Sequence, residues 1–157
     1  LFFGLVRDYK GLDYLIRAFE RSNRPNWKLT ICGEMWDDVS IPDDPRIRTI
    51  RGYVNDDTVS QVFSEASVVV LPYVRASQSG VSFIAMDYGL PIVASNVGGL
   101  RETLEAYDGA WLVDAGNEEQ LLYALKEVEY MFDTVYPAEV PEKNKWGNIA
   151  KMWKEIV

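Results

Sequence analysis

Two cations stand between two glycines near the start of the chain, in the stretch GLVRDYKG at 4–11. Arg7 and Lys10 come after an apolar run and before a helical pattern, which predicts a turn between a strand and a helix. A cationic pair at such a turn suits a diphosphate, because the free amides at the start of a helix also favour anions. The alternative is a polar loop whose charges are solvated, and this stretch alone leaves both open.

A second stretch with the composition of an anion-binding loop is RASQSGVSFIAMDYGLP at 75–91. Gly80 allows the backbone to approach a ligand closely, and the amides of Gly80, Val81 and Ser82 are expected to point outward at the start of a helix. Ser79 adds a hydroxyl donor, so the loop can hold a phosphate without a formal charge. The alternative is a helix cap by Ser77 or Ser79, which does not exclude ligand binding.

Two other turns follow predicted strands and carry candidate binding residues. ASNVGGLRE at 94–102 leads into a helix that contains Glu102, and the alternative role of this acid is to complement the helix dipole. In RGYVND at 51–56, Tyr53 and Val54 are expected to flank a flat base, although an aromatic residue at a strand end also packs against a core or its rim. Each turn is ambiguous by itself.

Short apolar runs alternate with helical patterns and supply the elements that must position these residues. Strands are predicted at 1–6, 27–33, 47–54, 67–73, 91–95 and 109–114, and helices at 12–22, 56–66, 79–89, 96–106 and 117–132. Asp56 or Asp57 is expected to cap the second helix. Strands that are apolar on both faces predict an α/β fold, a Rossmann-like parallel sheet with helices on both faces. Ligands then bind at the carboxyl ends of the strands.

The chain divides into a domain at 1–135 and a C-terminal linker and helix at 136–157. The linker is rich in turn residues, and the final helix at 145–157 carries Trp146 among its apolar residues. The chain begins at Leu1, inside an apolar run and without an initiator methionine, so we expect it to be part of a longer protein. The final helix is then expected to pack on this domain, on a preceding domain, or on both.

The overall composition argues against several classes of function. The formal net charge is −8 at pH 7, which disfavours nucleic acid as a partner, since phosphate backbones bind clustered lysine and arginine. The chain has no histidine, the commonest general base and metal ligand. The acidic stretch DDVSIPDD at 37–44 is interpreted as a solvated turn, so we expect no metal site. No apolar run approaches the roughly 20 residues that span a bilayer.

Taken together, the motifs resemble a known family over about residues 1–132. The matching stretches are FFGLVRDYKGLDYLIRAF, GE at 33–34, RGYV, VFSEASVVVLPY, SQSGVSFIAMDYGLPIVASNVGGLRE and GAWLVD. Their order and spacing are similar to those in the C-terminal domain of the retaining, GT-B-fold glycosyltransferases, often called group 1 or family 4. The resemblance implies that this domain binds a nucleotide-activated sugar in a cleft between two domains.

The resemblance also assigns roles to the first and third turns. Lys10 matches the lysine that contacts the diphosphate, and Arg7 resembles an arginine of the same turn. The commoner form of the motif has its arginine two residues earlier, where this chain has Leu5. Tyr53 and Val54 match the segment beside the nucleobase.

The loop that contains SQSGV gives both a clear match and the main departure. Ser79, Gly80 and Val81 match the loop whose amides meet the distal phosphate and the sugar. Many members of the family have two glutamates here, and the corresponding residues are Ala76 and Ile84. The second glutamate usually holds the ribose hydroxyls, which Ile84 cannot do. The departure leaves the identity of the nucleotide and its ribose contacts open.

The activity that the resemblance implies is the transfer of a sugar from a nucleoside-diphosphate sugar to a glycan or lipid-linked acceptor, with retention at the anomeric carbon. Arg7, Lys10 and the amides near Gly80 are expected to stabilise the negative charge on the leaving diphosphate. With these groups present, we expect neither a metal nor a cofactor beyond the donor substrate.

The expected protein partner is an N-terminal domain of the same chain, which would precede Leu1 and bind the acceptor. Residues 1–157 alone are then expected not to transfer sugar. The protein is expected in the cytoplasm, and any peripheral contact with the inner face of the membrane is expected to involve the missing half.

Two alternatives belong to other classes. A nicotinamide-dependent oxidoreductase needs the motif G-x-G-x-x-G after the first strand, but the first turn here has two glycines and two cations. A non-catalytic nucleotide-binding or scaffold domain of the same fold stays open, and the absence of both glutamates favours it.

Overall fold

Runs of apolar residues, many of them β-branched, form six short strands in a computed structural model of the protein, which describes residues 1–131 and Tyr136. The strands are β1 (Phe2–Phe3), β2 (Leu29–Gly33), β3 (Ile47–Arg51), β4 (Val69–Leu71), β5 (Ile92–Ser95) and β6 (Ala110–Val113). The predicted final helix at 145–157 lies outside the described residues, so the division of the chain at 135 stays a prediction.

Five segments form α-helices within the described residues. They are α1 (Leu12–Arg21), α2 (Asp56–Glu65), α3 (Gly80–Asp87), α4 (Gly98–Leu104) and α5 (Glu118–Glu129), and a 3₁₀ turn (Asp8–Lys10) precedes α1. None of the helices in this part of the chain has the length and apolar composition needed to cross a membrane.

Each predicted strand and helix within this range is present, but several bounds differ: the strand predicted at 47–54 ends at Arg51, and the strand predicted at 67–73 is Val69–Leu71. The strand predicted at 1–6 ends at Phe3, and pairing returns only as a single bridge between Val6 and Met35. The cap of α2 is Asn55, whose side chain accepts a hydrogen bond from Thr58 N at 2.9 Å. The prediction of an aspartate cap was wrong because the helix begins at Asp56, which leaves both aspartates in the first turn.

The six parallel strands join into one sheet at β1 and β4. Three strands, β1–β2–β3, form one half and β4–β5–β6 form the other. Val70 N donates to Leu1 O at 2.9 Å, and Leu1 N donates to Val68 O at 2.8 Å. The resulting order of strands is β3-β2-β1-β4-β5-β6, which is the order of a doubly wound Rossmann sheet. Successive strands are added on one side of β1 as far as β3, and on the other side from β4 onwards. This confirms the predicted fold class.

Alternate residues of the strands face two separate cores. In β5, Ile92 and Ala94 pack in the core formed with α2, α3 and α4, whereas Val93 packs in the core formed with α1 and α5. β4 alternates in the same way, so its residues are buried on both faces of the sheet. This explains why the central strands are continuous apolar runs instead of alternating polar and apolar residues.

Candidate functional site

A cleft lies at the carboxyl edge of the sheet, above the junction of β1 and β4. The chain leaves β1 towards α1 on one face and leaves β4 towards α3 on the other face, so the two connecting loops diverge. Ligands of open α/β sheets bind at such positions. The cleft has a volume of about 790 Å³ and is bounded by the first loop, the loop at 73–80 and the start of α2.

The two main loops of the cleft are tied to each other. Val74 N donates to Tyr9 O at 2.7 Å. Gly11 adopts a φ of +64°, and a β-carbon at this position would overlap the carbonyl oxygen of Pro72. Only glycine allows both the left-handed backbone and this approach without strain. Lys10, directly before Gly11, is therefore held beside the second loop.

The first loop forms one wall of the cleft, the first wall, and Lys10 carries the positive charge on it. Its Nζ lies 5.1 Å from the centroid of the Tyr73 ring, and a β-carbon at Gly4 would lie only 3.1 Å from Nζ. Burial lowers the pKa of Lys10, because it disfavours the charged form. Within the described part of the chain Lys10 makes no ion pair. Its ammonium group is thus available to an anionic ligand.

The start of α3 forms the second wall. Ser79 is the residue before the helix, but its hydroxyl makes no capping hydrogen bond. The carbonyl oxygen of Ser79 accepts hydrogen bonds from Ser82 N at 3.2 Å and Ser82 Oγ at 2.6 Å. The prediction that the Ser82 amide points outward was therefore wrong, because this amide closes the first turn of α3. The amides of Gly80 and Val81 have no acceptor among residues 1–131, as expected for the first turn of a helix. These amides can donate to an anion in the cleft.

Tyr73 connects the two walls. Its side chain is buried, and its hydroxyl oxygen lies 3.4 Å from Ser79 Oγ while its ring contacts Lys10. Burial raises the pKa of Tyr73 to about 12, so the phenol stays neutral at physiological pH. The residue therefore adds a hydrogen-bonding group and an aromatic surface, but no charge, beneath the cleft.

The glycines in the first turn of α4 support the second loop. Gly99 N donates to Ala76 O at 3.2 Å, and a β-carbon at Gly99 would overlap the carbonyl oxygen of Ser77. Glu102, predicted as a binding residue of this turn, is exposed on α4 and lies outside the lining of the cleft.

Arg7 lies in a different environment from Lys10. Its Nη1 is 3.8 Å from Asp37 Oδ1, and its guanidinium carbon is 4.5 Å from the centroid of the Trp36 ring. Asp37 also accepts a hydrogen bond from the Asp8 amide at 2.8 Å. Arg7 borders a separate surface depression of about 570 Å³. The structure therefore brings Lys10, Ser79, Gly80 and Val81 together, but not Arg7.

The predicted nucleobase segment also lies outside the lining of the cleft. Tyr53 is 94% exposed, and Val54 packs against the core beneath α2, α3 and α4. The nearby residues that do line the cleft are Asp56 and Val59, in the first turns of α2.

Several residues on the cleft wall were missed by the sequence analysis, among them Tyr9, Tyr73 and Arg75. The guanidinium carbon of Arg75 lies 5.8 Å from the centroid of the Tyr9 ring. A signal for Arg75 was available, because it follows β4 and precedes Gly80, and loops at the carboxyl ends of strands carry ligand contacts. Ala76 and Ile84 also line the cleft, so the positions that lack the family's glutamates present apolar side chains there.

Comparisons with known proteins agree with this architecture. Residues 1–129 match the model of the family described as "Glycosyl transferases group 1". An uncharacterized glycosyltransferase of Methanocaldococcus jannaschii is 33% identical, over 96% of this chain and 42% of its own length. The chain thus spans less than half of that relative.

Two solved structures are similar in fold. The complex of Anabaena HepE with UDP has a TM-score of 0.75 at 15% identity, over 99% of this chain and 48% of that chain. The C-terminal domain of a glycosyl transferase group 1 family protein from Francisella tularensis has a TM-score of 0.72 at 19% identity, over 92% of this chain and 85% of that chain. At these identities the likeness shows the fold alone.

Proposed function

Because the chain belongs to the group 1 glycosyl transferases, we propose that its cleft binds the nucleoside diphosphate of a sugar donor. The observation that carries the proposal is the pairing of Lys10 Nζ on one wall with the free amides of Gly80 and Val81 on the other. A cation and helix-start amides are the groups that bind phosphates in α/β proteins. UDP in the similar Anabaena structure supports this class of ligand.

The same groups would promote sugar transfer. The bond between the anomeric carbon and the diphosphate oxygen breaks, and the diphosphate leaves with the electron pair. The oxygen of an acceptor hydroxyl forms the new bond to that carbon and gives up its proton to an oxygen of the leaving diphosphate. Lys10 and the helix amides stabilise the charge that grows on the leaving diphosphate, which lowers the barrier.

We propose further that the complete protein is a glycosyltransferase that acts with retention on a glycan or lipid-linked acceptor, and that a second domain faces this cleft. Exposed apolar side chains support the second domain, because such patches mark interaction surfaces. Loops at the carboxyl edge carry Leu5, Trp36, Tyr53 and Val74, all exposed. The roles proposed for Arg7, Tyr53, Val54 and Glu102 require a ligand that extends beyond the cleft lining.

Thermal unfolding of the 157-residue chain with UDP, GDP or ADP tests the proposed function. We expect at least one of them at about 1 mM to raise the melting temperature, because a ligand at 100 times its Kd adds about 2.7 kcal/mol to the stability of the folded state. The corresponding nucleosides serve as controls and should give smaller shifts. If none of the three diphosphates changes the melting temperature, the cleft is not a donor site.

The affinity for the diphosphate is expected to fall at alkaline pH. The pKa of free Lys10 lies below its ordinary value of 10.5, and a bound anion favours the charged form and raises this pKa. Affinity is therefore full below the pKa of the free protein and decreases as the pH rises through it. Titrations at several values between about pH 7 and pH 10 measure this decrease. The Lys10→Ala variant should lack it, and an equal decrease in that variant would assign the effect to another group.

A further inference from the structure

We propose that Arg75 is the second cation of the diphosphate site and binds the diphosphate together with Lys10. The inference rests on the proposed function of the cleft. It gives a role to a residue that no sequence motif singled out.

The position of Arg75 follows from the contacts between the two loops. Val74 N donates to Tyr9 O at 2.7 Å, which places the next residue, Arg75, beside the first loop. The Arg75 guanidinium carbon lies 5.8 Å from the centroid of the Tyr9 ring, and Lys10 directly follows Tyr9. Both cations line the same cleft. A ligand that reaches Lys10 in this cleft therefore also lies near Arg75.

The charge of Arg75 is available to a ligand. Six of the nine arginines form an ion pair with a carboxylate within the described residues: Arg7, Arg17, Arg21, Arg24, Arg46 and Arg48. Arg75 is not among them. Arg7, by contrast, must leave both Asp37 and the Trp36 ring before it can contact another anion.

The balance of charge between the cleft and a diphosphate favours a second cation. A diphosphate carries more than one negative charge, and Lys10 supplies a single positive charge while the amides of Gly80 and Val81 are neutral. Asp56 is the carboxylate among the described lining residues, which adds to the demand for positive charge. A guanidinium group binds phosphate oxygens through two parallel hydrogen bonds, and an aromatic face such as that of Tyr9 can hold its plane.

Calorimetric titration of wild type, Arg75→Gln and Arg75→Lys tests the assignment, with whichever of UDP, GDP and ADP binds best and with the matching monophosphate. Arg21→Gln is the matched control, because Arg21 lies at the end of α1 and outside the lining of the cleft, and its exposed ion pairs contribute little. Arg7→Gln is measured alongside as the competing candidate. Melting temperatures show whether each variant is folded.

We expect Arg75→Gln to weaken diphosphate binding by about tenfold or more, as for a lost charge-assisted hydrogen bond. The monophosphate should lose less, Arg75→Lys should recover part of the affinity, and Arg21→Gln should stay within about twofold of wild type. A merely structural role would affect both ligands equally. Arg75→Gln within about twofold of wild type, or a larger loss in Arg7→Gln, would overturn the assignment. If wild type binds no diphosphate, the proposed function itself fails.

Discussion

Lys10→Ala is expected to weaken the binding of a nucleoside diphosphate by about 10- to 150-fold, or ~1.5–3 kcal/mol. The side chain supplies the cation of the first wall, and its Nζ has a cation–π contact but no ion pair within the described residues. The substitution removes a charge-assisted hydrogen bond to the diphosphate, and such bonds are about twice as strong as neutral ones. Calorimetric titration of the variant measures the loss.

Lys28→Ala is the matched control for this prediction. Lys28 is exposed and directly precedes β2, at the amino edge of the sheet and away from the cleft. The Lys28→Ala substitution removes the same charge from the chain as Lys10→Ala does, so any effect of net charge on binding appears in both variants. An equal loss in the two variants, or a loss below about threefold in Lys10→Ala, would show that Lys10 does not contact the ligand.

Gly11→Ala is expected to lower the free energy of unfolding by about 3 kcal/mol. An alanine in the left-handed region costs about 1–2 kcal/mol, and Gly11 has a φ of +64°. The new β-carbon would also overlap the carbonyl oxygen of Pro72, and such overpacking costs about 1–3 kcal/mol. Because the two loops of the cleft meet here, the affinity for a diphosphate should fall as well. Urea unfolding and ligand titration measure the two effects.

Gly116→Ala separates the backbone cost from the steric cost. Gly116 has a φ of +73°, close to that of Gly11, but a β-carbon there would be in ordinary contact, 3.5 Å from the nearest atom of Tyr14. We expect this variant to lose about 1–2 kcal/mol of stability and to bind a diphosphate as wild type does. If both variants were equally stable, the contact between Gly11 and Pro72 would have no energetic role.

The fold could be predicted from the sequence because its signals are local. The β-branched runs around β4 and β5 and the periodic apolar residues of α1 and α5 each specify one element. Their alternation fixes the class of sheet, and the order of the motifs along the chain identified the family, which is confirmed. The end of the first strand at Phe3 was missed, because it depends on where β2 supplies partners and not on local composition.

The candidate site could be predicted only in part. Lys10, Ser79, Gly80 and Val81 were found because they follow strands that meet at one edge of the sheet. The position of Arg7 could not be predicted, since it depends on Trp36 and Asp37, which reach it from a distant loop. The exposure of Tyr53 and of Glu102 likewise follows from the packing of whole elements against each other.

The junction of the half-sheets under the cleft has a mechanical consequence. One half-sheet leads to Lys10 and the other leads to Gly80, so the hydrogen bonds that join the half-sheets at β1 and β4 also fix the two walls relative to each other. Arg17 of α1 pairs with Glu118 of α5 across the junction, on the face of the sheet covered by those helices. The packing of α1 against α5 therefore helps to hold the two walls of the cleft in one relative position.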